Sequence, residues 1–320
     1  MSDLPVPTGV APAPISTDAL RSASDYAAAE KSDATRRAYR SDFAHFTRFC
    51  ASAGVATLPA DQATLAAYVA SLADAGLKYS TIRRRVAAIS YAHRLKGFPS
   101  PDQAEPVKAV LRGIRRRIGV AVTRKAPTTA RAIAAMLKKL PDTLTGKRDR
   151  ALLLIGFAAA LRRSELVGLD VPGDLEFVAA GVIVHLRRSK TDQEGKGQFV
   201  PVPHGRRLQP VAALRAWLDA AAITDGPVFR PIDKAGKVRP RRLTDRSVAD
   251  IVKRRVKPAG LDPALFSGHS LRAGFVTQAL DDGVDPFNVR RITRHVDIDT
   301  LIDYDRRAKA FKNHAGKSFL

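Results

Sequence analysis

Residues 119–128 divide the chain. They include Gly119, Arg124, Lys125 and Pro127, and this polar, basic, proline-containing stretch reads as a linker. Before it, over 30–118, apolar residues recur at helical spacing. After it, over 129–320, helical patterns are joined by short alternating ones. A chain of 320 residues is comfortable as two domains, and a hydrophobic content of 45% supplies a core for each. The expected fold class is therefore mainly α with a small β-hairpin or three-stranded sheet: a helical N-terminal domain followed by an α+β domain.

The first 29 residues are rich in Ala, Pro, Ser and Thr. With few large apolar groups to bury, residues 1–29 are expected to form a disordered tail. Order should begin near Ser32, a helix cap before Thr35–Cys50. Apolar residues then recur helically through Leu58–Leu72. Another helix opens at Ser80, with Ile82, Val86 and Ile89 on one face and Arg83, Arg84 and Arg85 largely on the other. A helix over Glu105–Ile118 ends in Arg115, Arg116 and Arg117. Beyond the linker, helices are expected near 128–140 and 146–158. Strands are expected over Leu175–Val178, Val182–Leu186 and Gln198–Val202. Polar residues Ser189–Gly197 should make a hairpin tip. Helices return near 209–222, 245–256, 271–282, 286–293 and 298–304.

Charge narrows the partners. Lys and Arg number 54 against 31 Asp and Glu, a formal net of +23. Such a surplus favours a polyanion, since each neutralised phosphate releases condensed counterions. The two arginine triplets, 83–85 and 115–117, are the expected DNA contacts, because a helix fits the major groove and Arg bonds guanine bidentately. The single cysteine, Cys50, forms no internal disulfide and leaves no cysteine cluster for zinc. The start of the chain lacks the order of a signal peptide, and no apolar run of membrane-spanning length occurs. A cytoplasmic, nucleoid-associated protein is expected, with no membrane partner.

Breaking a DNA strand without a metal requires a side-chain nucleophile, fixed cations for the non-bridging oxygens and an acid for the leaving oxygen. The second domain offers such a set in order. Arg162 and Glu165 lie three apart in Ala160-Leu161-Arg162-Arg163-Ser164-Glu165-Leu166, so the carboxylate can orient a neighbouring donor. Lys190 sits in Arg188-Ser189-Lys190-Thr191-Asp192 at the hairpin tip. His269 and Arg272 lie three apart in Gly268-His269-Ser270-Leu271-Arg272-Ala273-Gly274, at a helix start where backbone N–H groups favour anions. His295 follows, and nine residues on stands Tyr304, the only tyrosine of the second domain among six in the chain.

The ordered set Arg162, Lys190, His269-x-x-Arg272, His295 and Tyr304 resembles the signature of the tyrosine recombinase (phage integrase) family, of the two-domain Cre-like or Xer-like kind. Leu77–Phe98 resembles that family's SAM-like core-binding domain, and the likeness spans about 30–312. Two positions depart from it. The family often has glycine where this chain has Ala160, and glycine where it has Arg294.

The resemblance implies a site-specific DNA strand transferase. Tyr304 would form a covalent 3′-phosphotyrosyl link, and Arg162 and Arg272 would clamp the phosphate. Lys190 would protonate the leaving 5′-oxygen, His269 would take the tyrosine proton, His295 would bond the phosphate, and Glu165 would orient its neighbours. No ATP, metal or other cofactor is implied. The implied partner is double-stranded DNA with inverted-repeat sites. It would be bound by a homotetramer that is monomeric when free, with the tail after Tyr304 docking in trans. Two alternatives stand beside this reading. A type IB topoisomerase-like relaxase is opposed by the core-binding resemblance. A catalytically silent DNA-binding regulator is opposed by the complete set of six groups.

Overall fold

A computed structural model describes residues 16–119, 126–187 and 197–294 of the chain. Backbone contacts divide the chain into two units, Met1–Val122 and Thr123–Leu320. The N-terminal unit contains α1 (Thr17–Ala29), α2 (Asp33–Ala53), α3 (Gln62–Asp74), α4 (Tyr79–Leu95) and α5 (Glu105–Ile118), with a short 3-10 turn at Pro101–Gln103.

The expected disorder of 1–29 is corrected for Thr17–Ala29, which form α1. A segment that cannot bury a core can still be helical through local propensity and capping. Alanine is the strongest helix former, Asp18 complements the dipole in the first turn, and Ser16 Oγ accepts the N–H of Ala19 at 3.1 Å. Leu20 and Tyr26 of α1 are exposed, so local propensity carries this helix.

Helix α2 begins where its cap predicts. Ser32 Oγ accepts the N–H of Thr35, and Gly54 ends the helix in the left-handed region at φ 67°. It packs on α4, while α3 packs on α5. The core between them holds Phe46, Cys50, Leu65, Tyr68, Val69, Ile82, Val86, Ile89 and Leu111. Cys50 is fully buried. The three aliphatic residues at helical spacing on α4 thus face inward.

The second unit runs α6 (Ala130–Lys138), α7 (Leu144–Ala158), α8 (Arg163–Gly168), β1 (Asp170–Val171), β2 (Leu175–Val178), β3 (Gly181–Leu186), β4 (Gln198–Pro203), α9 (Pro210–Ala220), β5 (Gly226–Pro227), α10 (Asp245–Val256), α11 (Ser270–Asp281) and α12 (Pro286–Thr293). Strands β2, β3 and β4 form an antiparallel sheet in that order. Val182 pairs with Val202 and Val184 with Val200. These four valines line the same core as Leu152, Ile155, Leu166, Leu214, Trp217 and Phe229. The hairpin tip expected at Ser189–Gly197 lies outside the described residues except for Gly197, and the helix expected over 298–304 lies outside them altogether. Among the described residues, no helix is long and apolar enough to cross a membrane.

Helix α7 is the axis of this unit. Leu152, Leu153, Leu154 and Ile155 are buried, and the helix packs against α8, α9 and α11. Its apolar residues are not confined to one stripe, as suits a helix covered all round. At Asp149 it also carries a buried charge, held by Arg148 at 2.7 Å and by Arg255 of α10 at 2.6 Å.

Small residues allow the close approaches that position α11. On α7, a Cβ at Gly156 would meet Leu271 Cδ1 at 2.8 Å and Leu166 Cδ2 at 3.0 Å. On α11, a Cβ at Gly274 would lie 2.0 Å from the carbonyl oxygen of Thr128. The extended segment before α6 runs hard against the start of α11, where Thr128 N–H donates to Ser270 O at 2.9 Å. Gly274→Ala should therefore lower the unfolding free energy by about 1–3 kcal/mol, because the obstacle is backbone that cannot swing aside. Urea denaturation tests this; a midpoint equal to the wild type's would show that the approach is looser than described.

Candidate active site

Helix α7 ends at Ala158, and α8 starts five residues later. The turn between them is forced by Ala160, which adopts φ 48°. In this left-handed conformation the peptide reverses and α8 starts at once, with Arg162 as its N-cap. The carbonyl of Ala160 accepts a hydrogen bond from Arg272 Nη1 at 2.8 Å. Arg272 comes from the first turn of α11 and is 1% exposed. A residue with unusual φ thus sets the turn that carries one guanidinium and accepts a bond from another.

Glu165 joins the arrangement from inside α8. Its Oε1 accepts Arg162 Nη1 at 2.6 Å, and its Oε2 accepts the backbone N–H of Arg162 at 2.8 Å. Oε2 also accepts Arg294 Nη2 at 2.7 Å. The carboxylate is almost fully enclosed. Burial alone pushes its pKa up, but the charge of Arg294 and the bonds and charge of Arg162 outweigh that, and the carboxyl stays below the ordinary glutamate range. A carboxylate ionised in this way fixes its donors firmly, since hydrogen bonds to an ionised acceptor are the strong ones.

His269 precedes α11 directly, with its N–H bonded to Ser267 Oγ at 3.2 Å. Its surface is exposed, yet enough protein surrounds the imidazole that burial lowers its pKa, and the positive charges of Arg272, Arg162 and Arg163 lower it further. The ring is therefore a neutral proton acceptor at neutral pH. Its neighbour Gly268 sits under Arg163, whose Cδ would lie 2.3 Å from an added Cβ.

Arg162, Glu165, His269 and Arg272 are thus brought together from the α7–α8 turn and the start of α11. Lys190, His295 and Tyr304 lie outside the described residues. What sequence reasoning missed is Arg294. From sequence, its replacement of glycine puts the local turn in doubt, and could add a phosphate contact or disturb His295. Instead the residue takes the left-handed conformation itself, φ 56° and ψ 41° at the end of α12, and sends its side chain to Glu165. Both departures from the family pattern, Ala160 and Arg294, fall at positive φ, which explains the preference for glycine there. No side-chain pattern signals this, since Glu165 lies 129 residues away in the chain.

In the N-terminal unit the first triplet divides. Arg83 and Arg84 are exposed, and Arg84 grips Asp42 of α2 through two bonds, the shorter 2.8 Å. Arg85 turns inward beside Asp42 and Tyr68, with its side chain 16% exposed. Asp42 is buried and needs countercharge, which Arg84 supplies at 2.8 Å and Arg85 at 3.7 Å. Arg115, Arg116 and Arg117 are all exposed at the end of α5.

Comparisons with known proteins bear on both units. Residues 127–310 match the Phage integrase family, and residues 25–96 match the Phage integrase, N-terminal SAM-like domain. The chain is 40% identical over 291 residues to an integrase/recombinase xerD homolog of Selenomonas ruminantium, covering 89% of this chain and 85% of that protein. In fold it is similar to the Tn1549 transposon integrase, solved in complex with transposon right end DNA. The TM-score is 0.65 at 15% identity, covering 92% of this chain and 98% of that one. It is also similar to a lambda integrase dimer bound to a core site. There the TM-score is 0.60 at 15% identity, covering 89% of this chain and 75% of the other.

Since alanine is strained at φ 48° and glycine is not, Ala160→Gly should stabilise the fold by about 0.5–1 kcal/mol. That corresponds to a rise of roughly 1–4 °C in melting temperature. Calorimetry checks it, and a lower melting temperature would mean that the methyl group contributes packing that outweighs the strain.

Proposed function

The chain belongs to the phage integrase family of tyrosine recombinases, and on that premise we propose that it is a site-specific DNA recombinase whose nucleophile is Tyr304. The observation that carries the reading is the meeting of Arg162 and Arg272 at one turn, with Glu165 beneath the first and His269 beside the second. Two guanidiniums and a neutral imidazole suit an anionic phosphodiester under attack by a phenol.

Each group has a chemical task. Tyr304 Oη attacks the scissile phosphorus, and His269 accepts the phenol's proton. The non-bridging oxygens gain charge in the transition state, where the planar forks of Arg162 and Arg272 hold them through paired charge-assisted bonds. The bond from phosphorus to the 5′-oxygen breaks, and Lys190 gives that oxygen its proton. His295 bonds the phosphate as well. A 3′-phosphotyrosine and a free 5′-hydroxyl result. The phosphotyrosine conserves the ester's energy, so a 5′-hydroxyl from another strand reverses the step and seals the exchange. Neither ATP nor a divalent metal has a part in this sequence.

The DNA is held by the basic surfaces of the two units. Arg83, Arg84, Arg85 and the Arg115–Arg117 cluster are the N-terminal contacts, with Arg84 and Arg85 also neutralising the buried Asp42. Four protomers act on two inverted-repeat sites, and the tail 305–320 docks on a neighbouring protomer, linking one active site to the next.

A duplex nicked in the spacer of the target site tests the proposal, because the short released strand diffuses away and traps the covalent complex. The wild type should accumulate a protein–DNA adduct, and Tyr304→Phe should form none while still binding. An adduct of equal yield in Tyr304→Phe would refute the assignment. Arg272→Ala should slow adduct formation by about 10²–10³-fold. The pH dependence has a defined sign. Acid protonates His269 and removes the proton acceptor, and because its pKa is lowered, the single-turnover rate should hold down to about pH 6.5, the ordinary histidine value, and fall only below it. A rate already halved well above that pH would count against His269 as the base.

A further inference from the structure

The arginine at 294 occupies a backbone conformation that glycine adopts without strain. Its guanidinium is anchored twice, by Nη1 to Ile292 O at 2.9 Å and by Nη2 to Glu165 Oε2 at 2.7 Å. The side chain is 6% exposed, and burial lowers its pKa while Glu165 acts to raise it. A charge enclosed to this degree needs a partner, and Glu165 is that partner. The pair joins residues 129 positions apart, linking the end of α12 to the α7–α8 turn.

Glu165 is therefore shared. One oxygen takes Arg162 Nη1, while the other takes the backbone N–H of Arg162 and the guanidinium of Arg294. With Arg162 as its only cation, the carboxylate would cancel that arginine's charge, and Oε2 would be held by a backbone N–H alone. The second guanidinium removes both problems. It adds a charge-assisted bond to that oxygen, and it leaves the trio with two positive groups against one negative.

We infer that Arg294 is a positioning residue for DNA cleavage: by occupying one oxygen of Glu165, it locks the carboxylate that aims Arg162 and lets Arg162 keep its net charge for the scissile phosphate. Arg294 itself does not touch DNA. The inference rests on the reading of Arg162 as a phosphate clamp. It adds a second consequence, since His295 follows directly and Tyr304 lies ten residues on, so the same ion pair fixes the point from which the segment bearing them departs.

The test uses the full-length protein and the nicked duplex described above. Arg294→Gly suits the backbone conformation, so the fold should survive, with a melting temperature within a few degrees of the wild type's. DNA affinity should be unchanged, while the single-turnover cleavage rate should fall roughly 10- to 100-fold through misalignment of Arg162. Arg294→Lys, which keeps the charge, should recover most of the rate. Glu165→Gln combined with Arg294→Gly should be no slower than Glu165→Gln alone, because the two residues act as one device. Cleavage by Arg294→Gly at the wild-type rate would overturn the inference and leave the recombinase reading intact. So would losses that multiply in the double variant, or a rate lost only in step with DNA affinity. A wild type that traps no adduct would overturn both.

Discussion

The carboxylate of Glu165 is the point on which the candidate site turns. It is enclosed, ionised and bonded to three N–H donors from two distant stretches of chain. Removing it would leave two guanidiniums facing each other in a space with little water. An uncompensated buried charge typically costs about 3–5 kcal/mol. The turn at Ala160, the start of α8 and the end of α12 are mutually consistent because each presents a donor or a carbonyl to this one neighbourhood. Arg272 completes it from α11 by bonding Ala160 O, and α11 reaches that depth because Gly156 and Gly274 permit close packing.

The arrangement is held by the protein's own groups. Arg162 is held at two of its own donors, Arg272 is anchored to a backbone carbonyl, and His269 is kept neutral by burial and by the positive field of its neighbours. Fixed charges of this kind stabilise a transition state without reorganising during the reaction. In the proposed chemistry that preorganisation replaces a metal ion. The N-terminal unit shows the same economy of charge. Asp42 is buried and takes Arg84 and Arg85 as partners, so a run of three arginines serves the fold and the surface together.

Much of this was legible in the sequence, and the limits have physical reasons. Helix α5 and strand β2 fall where periodicity puts them, because amphipathic patterns and caps are local signals. The residues picked out by the spacing of Arg162 from Glu165 and of His269 from Arg272 lie near one another in the structure. Helix α1 was missed because disorder was argued from lack of core, while alanine propensity and the Ser16 cap act without one. The short helix α8 and the two-residue strands β1 and β5 were missed because they are too brief to show a period. Arg85 turns inward where the sequence pattern points it outward, because adjacent helical positions do not reveal that Asp42 waits inside. Arg294 could not be placed at all, since its partner lies 129 residues away and its role depends on a left-handed backbone that no pattern of side chains announces.

Cleavage depends on one meeting in space, that of one phenol with one phosphorus held by two guanidiniums. The most direct measurement is a structure of the full-length protein assembled on duplex DNA with Tyr304 replaced by phenylalanine. In that complex, ring 304 should point at a backbone phosphate whose non-bridging oxygens are bonded to Arg162 and Arg272, with Lys190 beside the 5′-oxygen. A complex in which residue 304 lies far from that phosphate in every protomer, or in which Arg162 and Arg272 face different phosphates, would contradict it.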